Sequence, residues 1–295
     1  MNVVRVVSTI AEDIFFGEGP RWHDDRLWFS DFHAHAVSSI NPDGSDRRVE
    51  LALDDQPSGL GWMPDGSLLV VKMKARQVWR RWPDGRFALH ADLGAVSKHL
   101  CNDMTVDEQG RAWVGNFGFD LDTQMRARGA AEVIADHPTT TLVRVDPDST
   151  VSIAAEGMSF PNGSVITPDG QTLIIGETLG GRLTAFTITA DGSLSDRRVW
   201  AETWPYIPDG ICLDAEGAIW IANPIGPECV RIGAGGTVLE VIATGMPCYA
   251  CMLGGTNGTT LFMLVAPGSD HAERAREPLG KLLACEVDVA RAGLP

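Results

Sequence analysis

The sequence predicts an all-β protein, a six-bladed β-propeller with a central metal site and a ring closed by its N- and C-terminal strands. Three observations carry this. First, a short segment recurs six times at intervals of 40 to 60 residues, starting at Glu18, Ser58, Asn102, Asn162, Asp209 and Tyr249. Second, most copies run into a tight-turn sequence and then an apolar stretch. Third, only residues 123–134 hint at a helical period. A repeat of ~40–50 residues holding several short strands is the mark of a propeller blade.

The elements follow in chain order. In the first repeat Asp24-Asp25 precedes Arg26-Leu27-Trp28-Phe29. The second repeat reads as four strands, at 59–63, 67–72, 77–82 and 86–92. Pro64-Asp65-Gly66, Lys74-Ala75-Arg76 and Pro83-Asp84-Gly85 separate them. Proline presets φ, glycine supplies positive φ, and aspartate bonds its own backbone. The third repeat turns at 107–110 and enters the apolar run 111–114, after which an insertion of about 116–140 lengthens the blade. Long excursions in compact folds are often lids or binding loops, so this one is expected over one mouth of the ring.

The fourth and fifth repeats turn at Pro168-Asp169-Gly170 and at 214–217, and the sixth turns at Thr256-Asn257-Gly258. A charged extension at 268–277 is expected to be solvated surface. Residues 3–10 alternate without a blade of their own, and 281–289 read as a strand with no repeat after it. Sharing one sheet would close the ring and limit exposed sheet edges. The whole chain, 1–295, is thus expected to be one propeller domain.

Composition agrees with a large turn-rich core: 295 residues, 44% hydrophobic, with 32 Gly, 17 Pro and 9 Trp. The formal charge of −15 gives no electrostatic footing for nucleic acid. The longest apolar runs fall well short of the ~20 residues that span a bilayer, and the N-terminus lacks a basic-then-apolar leader pattern. A soluble cytoplasmic protein with no membrane partner is expected; the oligomeric state is left open. Six cysteines include Cys248 and Cys251 at zinc-ligand spacing, with no second pair to complete a set. They read as small buried residues in a reduced compartment.

The chemistry lies in the shared slot. Residues that begin the innermost strands of a propeller meet at the channel mouth, so these six side chains should converge. Glu18, Asn102, Asn162 and Asp209 supply carboxylate and carboxamide oxygens, and neither His nor Cys occupies a slot. An all-oxygen set suits Ca²⁺, Mg²⁺ or Mn²⁺ rather than zinc. Taken singly, Asn162-Gly163 and Asp209-Gly210 are ordinary turn signals; their common register is what points to ligation. His33-Ala34-His35 reads as a partly exposed strand pair. His99, three residues before Asn102, is a candidate proton shuttle. No nucleophile elbow or phosphate loop occurs.

Four segments taken together, Glu18 to Trp22 (EGPRW), Asn102-Asp103, Phe160-Pro161-Asn162-Gly163 and Pro208-Asp209-Gly210, resemble the SMP-30/gluconolactonase/luciferin-regenerating-enzyme (LRE-like) family. The resemblance covers essentially the whole chain. It implies a six-bladed propeller with one divalent cation in its channel, Ca²⁺ or alternatively Mg²⁺, Mn²⁺, Zn²⁺ or Fe²⁺. It also implies hydrolysis of lactones, chiefly sugar lactones; related propellers hydrolyse phosphotriester-type substrates. By position Glu18, Asn162 and Asp209 match the metal ligands, Asn102 matches a substrate contact, and Asp209 matches the general base. One position departs from the family pattern. Sugar lactonases of the family carry Arg two residues before the Asn, where this chain has Leu100.

Phe117, Phe119, Trp204, Tyr206, Tyr249 and Met252 add apolar bulk nearby. Leu100 cannot make a bidentate polar clamp. The expected enzyme is a metal-dependent lactonase-type hydrolase acting on a small-molecule lactone or ester less polar than a sugar lactone. Leu100, Asn102, Phe117 and Tyr249 are its expected substrate contacts. The alternatives are a lyase or condensation enzyme of the same fold, or a non-catalytic metal-binding propeller.

Overall fold

A computed structural model describes residues 5–295; the first part of the alternating N-terminal segment, residues 1–4, lies outside the described residues. Six antiparallel sheets of four strands each form the molecule. Blades one to five take their strands in sequence order from 17–52, 57–92, 101–158, 161–202 and 211–243. The expected strands of blade two appear as Pro57–Trp62, Leu68–Lys72, Gln77–Arg81 and Phe87–Asp92. Each inner strand contacts the next, and that of blade six, Cys248–Gly254, contacts that of blade one, Gly17–His23, so the ring closes.

Closure works as the terminal segments suggested. Blade six holds Cys248–Gly254, Thr260–Val265 and Gly280–Glu286, and its fourth and outermost strand is the N-terminal Val7–Ile14. Val7 pairs with Cys285 and Ile14 with Gly280. The chain then crosses under the neighbouring blades: Ala292 N donates to Leu213 O at 3.0 Å, and Ile166 N to Leu294 O at 2.8 Å. These contacts engage the far ends of the inner strands of blades five and four, away from the slot residues that begin them.

Apolar side chains fill the spaces between blades. All six cysteines are buried free thiols, and Cys212, Cys229, Cys248, Cys251 and Cys285 share one core cluster that spans blades five, six and one. Among the described residues no helix is long and apolar enough to cross a membrane.

Two segments leave the blade plan. The insertion of blade three forms two short helices, Leu121–Arg128 and Ala130–Ala135, broken at Gly129, whose φ is 81°. Asp120 caps the first by accepting from Thr123 N at 3.0 Å. The 268–277 segment of blade six carries the helix His271–Arg274. Arg126 reaches Asp270 at 3.3 Å, joining the two excursions. The 268–277 segment is therefore not the free solvated extension its charge suggested.

Candidate functional site

The slot residues meet through a structural device repeated around the ring. In five inner strands the pairing with the second strand slips at the slot, between Glu18 and Arg21, Pro57 and Leu60, Cys101 and Met104, Pro161 and Ser164, and Cys248 and Ala250. A bulge of this kind bends the strand and re-aims its side chains. The glycines that follow the slots have a related role. A Cβ on Gly163 would stand 2.5 Å from Asp209 O, and one on Gly210 2.7 Å from Ala250 Cα. These Asn-Gly and Asp-Gly pairs are thus not turns; glycine is needed because adjacent inner strands approach backbone to backbone.

Hydrogen bonds run from slot to slot across four blades. Ser58 Oγ donates to Asn102 Oδ1 at 3.2 Å, and Asn102 Nδ2 donates to Asn162 Oδ1 at 2.8 Å. Asn162 Nδ2 donates to Asp209 Oδ1 and, at 3.0 Å, to Thr178 Oγ1. Thr178 in turn donates to Pro208 O at 2.9 Å. Glu18 accepts from Gly19 N at 3.3 Å. Every member of this chain is buried.

Two carboxylates lie at this floor, and neither forms an ion pair among the described residues. Burial, then the charges of Asp209 and Asp103, push the Glu18 carboxyl well above its usual range. Burial, then Asp103, does the same to Asp209, against the opposing hydrogen bond from Asn162. Asp103 is a third buried acid, also raised by burial, with Arg21 opposing. Its Oδ1 has no hydrogen-bond partner among the described residues. Arg21 spends its donors on the carbonyls of Pro20, Leu60 and Met104, at 2.6 to 2.9 Å. Buried acids that repel one another and lack a cationic partner are costly. A divalent cation satisfies such a donor set, and carboxylate and carboxamide oxygens are ligands for a hard one. The residues therefore fit the group their chemistry implies.

Above the floor lies a pocket with about 920 Å³ of atom-free space, open mouth included. Glu18, Asn102, Asn162, Asp209, Phe117 and Tyr249 all line it, and no Lys or Arg does among the described residues. Phe117 packs on Phe160 with ring centroids 4.4 Å apart, and Tyr249 on Phe16 at 4.6 Å. The insertion contributes Leu121, Asp122, Met125, Ala130 and Ile134, and so does cover this mouth.

Other expected neighbours stand elsewhere. Leu100 is one layer back, packed on the cluster of Phe16, Phe32 and Tyr249 that Phe117 also joins. Phe119 packs with Val133 and Phe160, Met252 is in the buried core of blade six on the face of Phe262, which stacks on Trp22 of blade one, and Trp204 is half exposed. His99 does not line the pocket; its carbonyl accepts from Ser97. The His33-Ala34-His35 pair is not on a strand but in the turn between Arg26–Asp31 and Ala36–Ile40, and His33 lines the pocket.

Sequence reasoning missed Thr178, Asp103 and His271. Thr178 follows the second strand of blade four, where no slot pattern applies. Asp103 stands beside a slot and could have been found as a further acid of the recurring segment.

Three comparisons bear on this geometry. The sequence pattern of the SMP-30/Gluconolactonase/LRE-like region matches residues 16–267. Pentonolactonase XacC of Haloferax volcanii is 29% identical, the match covering 100% of this chain and 97% of that protein. Among solved structures, a luciferin-regenerating enzyme superposes with a TM-score of 0.80 at 19% identity, covering 98% of both chains. Regucalcin of Agrobacterium tumefaciens, described as a calcium-binding protein, gives 0.77 at 20% identity, covering 100% of this chain and 97% of its own.

Proposed function

Because the chain belongs to the SMP-30/gluconolactonase/LRE-like family, we propose that it is a divalent-cation-dependent hydrolase that opens a lactone, or a related ester, less polar than a plain sugar lactone. The observation that carries this is the pair of buried, unpaired acids, Glu18 and Asp209, at the floor of a pocket lined by aromatic and aliphatic side chains. Glu18, Asn162 and Asp209 would hold the cation, and calcium is the first candidate. The bound cation would supply Lewis-acid polarisation of the lactone carbonyl.

The chain's own residues do the rest. Asp209 Oδ1 is engaged by Asn162, which leaves Oδ2 to take a proton from the attacking water. The water oxygen bonds to the acyl carbon, the ring C–O bond breaks, and the proton passes to the departing alkoxide, giving a hydroxy acid. Asn102, fixed by Ser58 and Asn162, presents a carboxamide beside the ligands to orient the substrate. Phe117 and Tyr249 exclude water and take the apolar part of the substrate. Leu100 packs on the aromatic cluster that Phe117 also joins and brings no guanidinium clamp to the wall.

The test is turnover of a panel of alkyl, aryl and sugar lactones after metal removal and after re-addition of Ca²⁺, Mg²⁺, Mn²⁺, Zn²⁺ or Fe²⁺. Activity should vanish with the chelator, return with one of these ions and favour an alkyl or aryl lactone. Full activity without metal would defeat the reading, as would an inert enzyme with its cation bound.

A further inference from the structure

Part of the pocket wall is polar without belonging to the axial set. His33, from its turn in blade one, and His271, from the helix of blade six, both line the pocket. Their rings meet edge to face, with centroids 5.2 Å apart at 84°. Gln56, only 1% exposed, points Nε2 at both Nδ1 atoms, at 3.3 Å for His33 and 3.4 Å for His271. In this orientation the amide offers its NH₂ to both rings, so both Nδ1 atoms accept, while Gln56 Oε1 is buried without a hydrogen-bond partner among the described residues. A ring that accepts at Nδ1 carries its proton on Nε2. Burial, then His271, holds His33 down at about 4, so it is uncharged at neutral pH. His271 Nε2 stands 3.8 Å from Asp122, too far for a hydrogen bond. Both Nε2–H groups therefore stand without a hydrogen-bond acceptor among the described residues, in a wall whose other side chains are mostly apolar.

We propose that His33 and His271, held in register by Gln56, form a specificity subsite for a hydrogen-bond acceptor oxygen carried by the substrate outside its lactone ring. The substrate class is then a lactone with an apolar body and one further carbonyl oxygen, such as a keto- or ester-substituted alkyl lactone. Placing that oxygen at a lactone substrate rests on the hydrolase reading above; the subsite itself does not. A substrate lacking the oxygen leaves both donors desolvated and unpaired, which discriminates more strongly than lost apolar contact does. Gln56 is a positioning residue: it touches no substrate and acts by fixing the tautomer of both rings.

Binding of γ-lactams, which lack the hydrolysable ester bond, separates this subsite from catalysis. The probes are two γ-lactams of equal length, one with a plain alkyl tail and one ending in a methyl ketone, titrated calorimetrically into the full chain with Ca²⁺. The wild type should bind the keto lactam about fivefold more tightly, the scale of one or two neutral hydrogen bonds. His33→Leu and His271→Leu should each bring the ratio towards one, and Gln56→Leu should do the same without removing a donor. Because His271 sits on a peripheral helix, its variant keeps the comparison open if His33→Leu fails to fold. Equal binding of the two lactams by the wild type would overturn the proposal, as would an undiminished ratio in the folded histidine variants. A preserved lactam preference alongside absent lactone turnover would defeat the hydrolase reading alone.

Discussion

Asn102 Nδ2 donates to Asn162 Oδ1 at 2.8 Å, although the two residues lie 60 positions apart in different blades. The bond turns the single carboxamide oxygen of Asn162 towards its neighbour, while the Asn162 amide NH₂ is turned to Asp209 and Thr178. A change at one slot is thus felt at the next two.

Asp209→Asn removes a negative charge and the proposed base while keeping size and one potential ligand oxygen. Turnover of the best lactone should fall by about 10²-fold or more, the usual scale for a lost general base. The melting temperature should not drop, because relieving repulsion between buried acids offsets the lost bond. Initial rates beside a thermal melt check both. Near-normal turnover would take Asp209 out of the mechanism.

Gly163→Ala tests the close approach of the inner strands. Its Cβ would stand 2.5 Å from Asp209 O and 2.6 Å from Ile211 N, both backbone atoms that cannot swing away. We expect a destabilisation of about 2–3 kcal/mol, the upper range for overpacking. Loss of Ca²⁺ binding in calorimetry should accompany it, because the clash pushes the blade that carries Asp209. A variant that melts normally and binds the ion would remove this reason for the glycine.

Leu100→Arg asks whether pocket polarity sets substrate choice. Leu100 packs on the same cluster of Phe16, Phe32 and Tyr249 as Phe117, so a guanidinium there must either disturb that cluster or stay desolvated at a cost of several kcal/mol. The ratio of kcat/KM for an alkyl lactone over a sugar lactone should drop by about tenfold, a shift of ~1.4 kcal/mol. Should the wild type already prefer the sugar lactone strongly, the apolar reading of this wall fails.

Glu177 gives the expected acid limb of stability. Its carboxylate is fully buried and accepts from Ser159 N at 2.7 Å and Arg182 Nε at 3.0 Å, with Arg197 at 3.3 Å. Burial raises its pKa, but the bonds from Arg182, Thr184 and Ser159 together outweigh that, and the carboxyl ends below the usual 4.5. A depressed folded pKa stabilises the protein above the unfolded value. That contribution is lost as pH falls from about 4.5 through the lower folded value. Denaturant midpoints measured from pH 6 to pH 3 should therefore decline in the wild type. They should decline less in Glu177→Gln, which should itself be less stable by about 2–3 kcal/mol at pH 6, since a buried charge network loses its anion. Parallel curves would assign the acid limb to other carboxylates.

The ring is legible in the amino-acid sequence. Repeats whose turns and apolar runs recur in register specify blades, because each blade can bury its faces only against a neighbour. Orphan segments at both ends specify a shared closing sheet for the same reason. The convergence of Glu18, Asn162 and Asp209 on one pocket is legible in the sequence too, since a fixed slot in a closed ring has one place to point. Only the tertiary structure decided what their glycines do, because an Asn-Gly pair reads as a turn until the next strand is seen 2.5 Å from where a Cβ would be. It also decided the pocket wall. Leu100 stands a layer back, while His33, His271 and Thr178 arrive from a turn, a peripheral helix and the end of a second strand. Those positions share no period with the slots. Contacts between segments more than 200 residues apart, such as Gln56 with His271, are set by how the ring folds its excursions inward, and no local pattern records that.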